Sequence, residues 1–258
     1  MKTCVLASGS SGNCIFVSSP QARVLIDAGL SARETARRLE SIGIPVSTIS
    51  AICLTHEHSD HTAGLATLQQ RHGIRIFANS GTIEAIRRDD KMHKLHWQTF
   101  STGTPFQIGD LTFDPFPVSH DAYEPVGFVV TCGNTKLGIV TDIGAPTHLV
   151  REHLRPCQAL IVEANHDENL LSGAKRPWVL KQRIAGRQGH LSNAHAAQMI
   201  AEIATNSLQC VYLCHLSRDC NRPELALKEV KKALEKRDFE SIQVKLTFPG
   251  EISEIWSD

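Results

Sequence analysis

Continuous apolar segments alternate with helix-like segments along both halves of the chain. Residues 49–55 (ISAICLT) and 159–164 (ALIVEA) are such apolar runs, and residues 32–44 carry apolar side chains at helical spacing. Strands without a polar face are buried on both sides, which favours sheets whose outer faces are covered by helices. The sequence therefore predicts an α/β fold. A long polar stretch then separates the second run from a helix predicted at residues 193–203.

Length and composition limit the overall organisation. The chain has 258 residues, 41% of them apolar, and shows no composition shift or low-complexity linker. We therefore expect one domain over residues 1–258. The 27 basic and 27 acidic residues balance, so the charge of the whole chain favours neither nucleic acid nor a membrane surface.

The chain carries no predicted targeting or membrane segment. Its first residues (MKTCVLASGSSGNC) lack the apolar core of a signal peptide. Runs of about 18 uninterrupted apolar residues, as a bilayer-spanning helix requires, do not occur. By default we expect a cytoplasmic protein with no membrane partner.

The hexapeptide HEHSDH at residues 56–61 places three histidines and an aspartate directly behind an apolar strand. Imidazole nitrogens and carboxylate oxygens are ligands for zinc and similar divalent ions. Alternate residues of an extended segment point the same way, so His56 and His58 can share one ion. Asp60 and His61 begin the following turn and can serve a second ion. The alternative, a polar helix N-terminus capped by Asp60, leaves the histidines unexplained.

HEHSDH fits the HxHxDH signature of the metallo-β-lactamase superfamily, and the chain resembles that superfamily in later segments as well. These segments are VSHDAYEPVGFVV (118–130), GIVTDIG (138–144) and VYLCHLS (211–217). The resemblance covers most of the chain. It implies an αββα sandwich of the metallo-β-lactamase type, in which two mixed β-sheets are flanked by helices.

The resemblance also implies a complete set of ligands for two divalent ions, each directly after an apolar run. For the first ion they are His56, His58 and His120, and for the second they are Asp60, His61 and His215, with Asp142 as the bridge. Taken singly, His120, Asp142 and His215 could also be a loop histidine, a helix cap and a core histidine. Zn²⁺ and Mn²⁺ suit these ligands, with Fe²⁺ as a third candidate.

Two such ions about 3.5–4 Å apart lower the pKa of a bridging water. The implied chemistry is therefore hydrolysis by a metal-bridging hydroxide, which Asp60 can orient as a catalytic residue by accepting its proton.

Three shorter segments are similar to the YycJ/WalJ-like branch of the superfamily, which is associated with 5′ to 3′ DNA exonuclease activity. They are LASGSSGNC (6–14), EANHD (163–167) and GHLSN (189–193). A Gly/Ser loop such as the first can bring backbone N–H groups close to a phosphate, but an ordinary hairpin turn is equally compatible with it.

These segments supply the remaining candidate residues. His190 precedes a helix N-terminus, where a histidine can bind phosphate and protonate a leaving oxygen. Ser192 or Asn193 is expected to cap that helix. The full set of predicted substrate-binding residues is Ser10, Ser11, Asn13, Asn165, His166, Ser192 and Asn193.

A basic stretch lies just before His190. Between residues 169 and 201 there is no acidic residue, whereas Lys175, Arg176, Lys181, Arg183 and Arg187 are all basic. Such a stretch attracts a polyanion, although a solvated basic loop is the alternative. Only Trp178 is available there for stacking on bases.

We therefore expect a dinuclear metal-dependent phosphodiesterase that acts on nucleic acid, with DNA favoured over RNA, as a 5′-3′ exonuclease. One rival is a hydrolase of thioesters or other small esters on the same scaffold, as in glyoxalase II-like relatives. A small acyl substrate needs no long basic stretch, which argues against it. A non-enzymatic metal-binding or regulatory module is the other rival, and the complete ligand set argues against that.

Overall fold

The first of two sheets is built from strands of the N-terminal half and the last strand of the chain. The structure is a computed structural model that describes residues 1–88, 92 and 94–258. The strands are β1 (Lys2–Ala7), β2 (Cys14–Ser18), β3 (Arg23–Ile26), β4 (Ala51–Cys53), β5 (Arg75–Ala78), β6 (Trp97–Thr99) and β14 (Trp256–Ser257). Their order is β14-β1-β2-β3-β4-β5-β6. Neighbours from β3 to β6 are parallel, and the other pairs are antiparallel.

The second sheet is mixed in the same way. Its strands are β7 (Phe106–Ile108), β8 (Leu111–Pro117), β9 (Val126–Cys132), β10 (Thr135–Val140), β11 (Ala159–Glu163), β12 (Cys210–Cys214) and β13 (Gln243–Leu246). The order is β13-β12-β11-β10-β9-β8-β7. Neighbours from β10 to β13 are parallel, whereas β7, β8, β9 and β10 form an antiparallel meander.

The described residues also form helices, some of which cover the outer faces of the two sheets. They are α1 (Ala32–Ser41), α2 (Ser59–Thr62), α3 (Leu65–His72), α4 (Ser80–Ile86), α5 (His148–Leu154), α6 (Glu168–Gly173), α7 (Trp178–Ala185), α8 (Asn193–Ile203) and α9 (Pro223–Glu235). A short 3₁₀ turn spans Val46–Thr48. In the described ranges, none of these helices is long and apolar enough to cross a bilayer.

Buried side chains form three layers of apolar packing. Between the sheets, Val24 and Ile26 of β3 meet Phe128 of β9. Leu25 points the opposite way because side chains alternate along a strand, and it packs in the cluster beneath α1, α3 and α4. A third cluster lies between the second sheet and α5, α8 and α9. The αββα sandwich expected from the sequence is therefore confirmed. The single-domain prediction over residues 1–258, part of which lies outside the described residues, stays a prediction.

The polar stretch before residue 193 contains two helices that the sequence did not predict. Asp167 caps α6, since its Oδ1 accepts from the backbone N–H groups of Asn169 at 3.0 Å and Leu170 at 2.9 Å. No side chain of α7 is buried, and only Leu180 and Ile184 repeat at helical spacing in its eight residues, which is too short a pattern for a sequence-based prediction. The following helix, α8, begins and ends at the predicted residues 193 and 203.

Candidate metal centre

The loop after β4 brings three imidazoles together. The ring centroid of His56 lies 4.5 Å from that of His58 and 4.1 Å from that of His61. The loop rests directly on Gly29, where an added Cβ would come within 1.7 Å of the carbonyl oxygen of Asp60. Only glycine permits this backbone approach, so the position of the loop depends on the segment that follows β3.

Three residues of the second half of the chain face this loop. His120 follows β8, Asp142 follows β10 and His215 follows β12. His120 Nε2 lies 3.4 Å from His58 Nδ1, Asp142 Oδ2 lies 3.2 Å from His61 Nε2, and His215 Nε2 lies 3.5 Å from Asp60 Oδ2. All seven residues predicted as metal ligands therefore meet at one place, where strand ends of the two sheets converge.

The donor atoms form compact sets, in each of which every atom lies within 4.8 Å of the others. These sets are His56–His58–His120, Asp60–His61–His215, His56–His61–Asp142 and Asp142–Glu163–His190–His215. The first two sets coincide with the ligands expected for each of two ions. Asp142 contributes to the last two sets, which is the position that a bridging carboxylate requires.

Four of the histidines have one ring nitrogen bonded on the side away from the centre. The pairs are His56 Nδ1 with Thr55 Oγ1 at 2.9 Å, His61 Nδ1 with Asp27 Oδ2 at 2.7 Å, His120 Nδ1 with the Gly189 carbonyl oxygen at 3.0 Å, and His215 Nδ1 with Glu163 Oε1 at 2.9 Å. Each of these histidines is thereby left with its Nε2 for the centre. Metal-binding histidines are held in the same way, by a carboxylate or carbonyl on the second nitrogen.

Several polar atoms at the centre are buried without a hydrogen-bond partner among the described residues. They are His56 Nε2, Asp142 Oδ2 and His215 Nε2. Leaving a polar group buried and unpaired costs roughly 1–3 kcal/mol. A divalent cation would satisfy all three, so the residues present fit a metal site.

The electrostatics of the centre also suit a cation. Burial, reinforced by the neighbouring His61, holds the pKa of His56 well below its ordinary value, which keeps its imidazole neutral. Burial would raise the pKa of Asp142, but His215 and His61 outweigh it and hold that pKa well below its ordinary range. The centre therefore presents a neutral imidazole beside an anionic carboxylate, which is the state in which both bind metals.

His61 carries a proton that a metal ion would have to displace. Burial alone would lower its pKa, but the carboxylates of Asp27 and Asp142 outweigh burial and raise it to about 10.

Asp27 and His215 share an unusual backbone conformation, with φ of 64° and 55°. Left-handed backbone at residues other than glycine costs on the order of 1–3 kcal/mol and is typical of functional sites.

Glu163 is a central residue that the sequence analysis did not single out. It ends β11, is fully buried, and accepts hydrogen bonds from His190 Nδ1 at 2.7 Å and His215 Nδ1 at 2.9 Å. Backbone N–H groups of Ile143 and Leu191 also donate to its carboxylate, at 2.9 and 3.1 Å. The available signal was a lone carboxylate at the end of the apolar run ALIVE. Asp27, after β3, is the corresponding residue of the first half.

His190, which was not predicted as a metal ligand, lies beside the residues that were. Its ring centroid lies 5.2 Å from those of both His120 and His215, and its side chain is 24% exposed. Burial would lower its pKa, but the charge and hydrogen bond of Glu163 outweigh burial and raise that pKa above its ordinary value. With Nδ1 bonded to Glu163, the second nitrogen, Nε2, remains for a bound molecule.

The predicted substrate-binding residues fall into two groups. Ser10 and Asn165 line the cleft, and Ser11 is exposed beside it, with its Oγ 3.2 Å from Arg218. The buried residues that do not line the cleft are Asn13, His166, Ser192 and Asn193. Ser192 caps α8, as expected, by accepting from the backbone N–H of His195.

Asn13 lies behind the predicted ligands. Its Nδ2 is 3.1 Å from Asp60 Oδ2, and its Oδ1 accepts from the backbone N–H of Gly9 at 2.8 Å. The N–H of Gly12 is also used within the loop, by the Gly9 carbonyl at 2.9 Å. Because the N–H groups of Gly9 and Gly12 are bonded within the loop, these contacts favour a hairpin turn at GSSGN over a phosphate-binding nest.

A cleft of about 330 Å³ opens over the centre, with α7 along one side. Arg176, Leu180, Arg183 and Ile184 line it together with five of the seven predicted ligands. Arg176 is paired with Asp219 at 2.5 Å, and Arg183 with Asp121 at 2.5 Å, so two guanidinium groups stand at the cleft. These two belong to the basic stretch recognised in the sequence.

The αββα sandwich with this donor set at its strand ends is the architecture of a known class of enzymes. The family model described as the Beta-lactamase superfamily domain matches residues 22–215. In solved structures, the metallo-beta-lactamase fold protein YhfI from Bacillus subtilis superimposes with a TM-score of 0.75 over 99% of both chains, at 18% identity. The chain belongs to the metallo-β-lactamase superfamily and is a metal-dependent hydrolase.

Curated relatives define the branch more closely. Exodeoxyribonuclease YycJ of Bacillus anthracis is 35% identical over 242 residues, which cover 91% of this chain and 89% of the relative. Exodeoxyribonuclease WalJ of Streptococcus pneumoniae serotype 2 is 32% identical over 241 residues, covering 92% and 90%. Within the superfamily, this chain is a YycJ/WalJ-like protein.

Proposed function

We propose that this protein is a dinuclear metal-dependent phosphodiesterase that removes nucleotides from DNA in the 5′ to 3′ direction. The observation that carries the proposal is the pair of histidine-rich donor sets joined by Asp142, with His190 beside them and two arginines at the same cleft. The relatives support the nuclease activity and DNA as substrate, because both YycJ and WalJ are exodeoxyribonucleases by name.

Two ions would be held by the two predicted ligand sets. His56, His58 and His120 would hold one, Asp60, His61 and His215 the other, and Asp142 would reach both. When bound, Zn²⁺ or Mn²⁺ ions at such a site acidify a water and offset the negative charge of a phosphate. The remaining catalytic tasks fall to side chains of this chain.

His190 is suited to protonate the leaving oxygen of the cleaved diester. The bond from its Nδ1 to Glu163 orients the ring and leaves Nε2 to carry the transferred proton. Its raised pKa keeps the donor form populated near neutral pH. Glu163 acts as a positioning residue here, since it touches His190 and His215 and is itself fully buried.

Asp60 is suited to take the proton of the attacking water. Its side chain is 21% exposed towards the cleft, and Asn13 Nδ2 holds its Oδ2 at 3.1 Å. Burial acts to raise the pKa of Asp60, but the neighbouring His215 and the charge of His61 lower it overall, so the carboxylate is ionised and can accept.

Arg176 and Arg183 are suited to bind phosphates of the substrate. Each is held over the cleft by a single aspartate, Asp219 or Asp121, which a phosphate can replace as the partner of the guanidinium. Ser10 adds a hydroxyl on the wall of the same cleft. Hydrolysis of thioesters or small esters, the rival enzyme activity, is not favoured by the relatives or by these charges.

The direct test is digestion of DNA labelled at either its 5′ or its 3′ end, with the purified protein loaded with Mn²⁺ or Zn²⁺. We expect release of labelled mononucleotide from the 5′ label first, and a ladder of shortened strands from the 3′ label. The same strand made of RNA should be a poorer substrate. Absence of DNA cleavage alongside rapid turnover of a thioester would overturn the proposal.

A further inference from the structure

The outer surface of α7 carries two large apolar side chains that contact little of the protein. Trp178 is 67% exposed and Val179 is 75% exposed. They are consecutive residues of the first turn of α7, so this end of the helix presents an apolar patch made of Trp178 and Val179. Exposed apolar patches beside a functional site commonly mark a surface that binds another molecule.

The patch lies on the side of α7 that faces away from the cleft. Leu180 and Ile184, four residues apart, lie on one face of the helix and line the cleft. Trp178 precedes Leu180 by two residues, a rotation of about 200° on a helix of 3.6 residues per turn. One face of α7 therefore meets the metal centre, while the opposite face carries the indole ring.

The charge around the patch indicates what it binds. Lys175 and Arg187 flank α7, are exposed, and form no ion pair with a described residue. No acidic residue occurs between positions 169 and 201. A partner with apolar rings and regularly spaced negative charge matches this surface, and unpaired nucleic acid has both features.

We propose that α7 is a platform on which an unpaired DNA strand leaves the cleft, with a base stacked on Trp178 and phosphates near Lys175 and Arg187. This proposal rests on the proposed nuclease function and adds a preference for unpaired strand beyond the cleavage site. A paired duplex keeps its bases stacked on one another, so it cannot offer a free face to the indole.

The thickness of the helix sets the distance between cleavage and stacking. An α-helix with its side chains is about 10–12 Å across, and stacked nucleotides advance about 3.4 Å each, so roughly three nucleotides separate the cleft from Trp178. Substrates shorter than this cannot reach the platform. The contribution of Trp178 should therefore depend on the length of the strand.

The test compares wild type with Trp178→Ala on 5′-phosphorylated single strands of about 3 to about 12 nucleotides, with metal-loaded enzyme. We expect Trp178→Ala to raise KM for the long strands about tenfold, within the roughly 5- to 150-fold range expected for one stacked base, with a smaller change in kcat. The ratio of variant to wild-type KM should decrease as the strand shortens. Trp178→Phe, which keeps an aromatic face, should restore most of the affinity.

Leu149→Ala is the matched control, because Leu149 on α5 is another exposed apolar residue and does not line the cleft.

A binding experiment separates the platform proposal from the nuclease proposal. Fluorescence anisotropy would measure binding of a long single strand whose first linkage is a phosphorothioate. Binding that Trp178→Ala weakens, without cleavage of ordinary DNA by wild type, would support the platform and overturn the nuclease function. Cleavage with equal KM for wild type and Trp178→Ala at every length would overturn the platform and leave the nuclease function in place.

Discussion

The two halves of the candidate metal centre differ in how far apart their donor residues lie in the sequence. The first half is a single loop, in which four donors lie within residues 56–61. The second half draws His120, Asp142 and His215 from three separate strand ends. Each half also has one buried carboxylate behind it, Asp27 in the first and Glu163 in the second.

The two supporting carboxylates differ in what they hold. Asp27 bonds one predicted ligand, His61, and the backbone N–H and hydroxyl of Thr55. Glu163 bonds a predicted ligand, His215, and the proposed proton donor, His190. The carboxylate behind the first half therefore holds a predicted ligand alone, whereas the carboxylate behind the second half would link metal binding to the proposed proton donation.

The largest expected effects come from removing a ligand from either half. His61→Ala and His215→Ala should each lower kcat/KM about a thousandfold or more, since an ion worth several kcal/mol is lost or displaced. Metal analysis should show a reduced metal content in both, while far-ultraviolet circular dichroism stays that of wild type. His195→Ala, an exposed histidine on α8, is the control and should keep full activity. Equal activity of His61→Ala and wild type would remove the first half from the mechanism.

The next effect separates proton donation from metal binding. His190→Ala should slow cleavage on the order of 10²-fold while retaining the metal, because a general acid contributes about 10²–10⁴-fold. The protonated form is the donor, so activity should fall as pH rises through the raised pKa of His190. This alkaline limb should be absent in His190→Ala. Loss of metal from that variant would instead make His190 a ligand.

The isosteric variants Asp27→Asn and Glu163→Gln compare the two buried carboxylates directly. Each should weaken metal binding about 10- to 100-fold, as loss of such a partner typically does. Asparagine accepts the left-handed backbone at position 27, so Asp27→Asn adds no strain there. Glu163→Gln should also move the alkaline limb to lower pH, because the carboxylate that raises the pKa of His190 is gone. Asp27→Asn should leave that limb in place, and identical pH profiles would contradict the comparison.

The smallest effects on KM are expected from Ser10 and Asn165, two polar residues that line the cleft. Ser10→Ala removes one hydroxyl from the first half's side of the cleft and should raise KM about 2- to 12-fold, as expected for one neutral hydrogen bond. Asn165→Ala, on the second half's side, should have the larger effect, because Asn165 Nδ2 also donates to the carbonyl oxygen of His215 at 2.8 Å. Steady-state kinetics on one DNA strand would rank the two. The reverse ranking would show that the Gly/Ser loop, not the end of β11, binds the substrate.

Sequence reasoning succeeded where chemistry is local. HEHSDH concentrates donors within one loop, and each distant ligand follows an apolar run that is readable as a strand. The sequence does not reveal which residues contact each other across the fold. Asn13 and Asn193 were expected at the substrate, yet both are buried and line no part of the cleft. The helix α7 was not predicted, because it is short and buries no side chain, and only Leu180 and Ile184 repeat in it at helical spacing.

By itself, the sequence determined the layered fold and the identity of the seven candidate ligands, since apolar runs and donor residues are properties of short segments. The tertiary structure alone decided that Glu163 joins His190 to His215 and that Arg183 of α7, with Arg176 just before that helix, lines the cleft over the candidate metal centre. The physical reason is that parallel strands bring their carboxyl ends to one edge, so residues far apart in the chain become neighbours only when the sheets have formed.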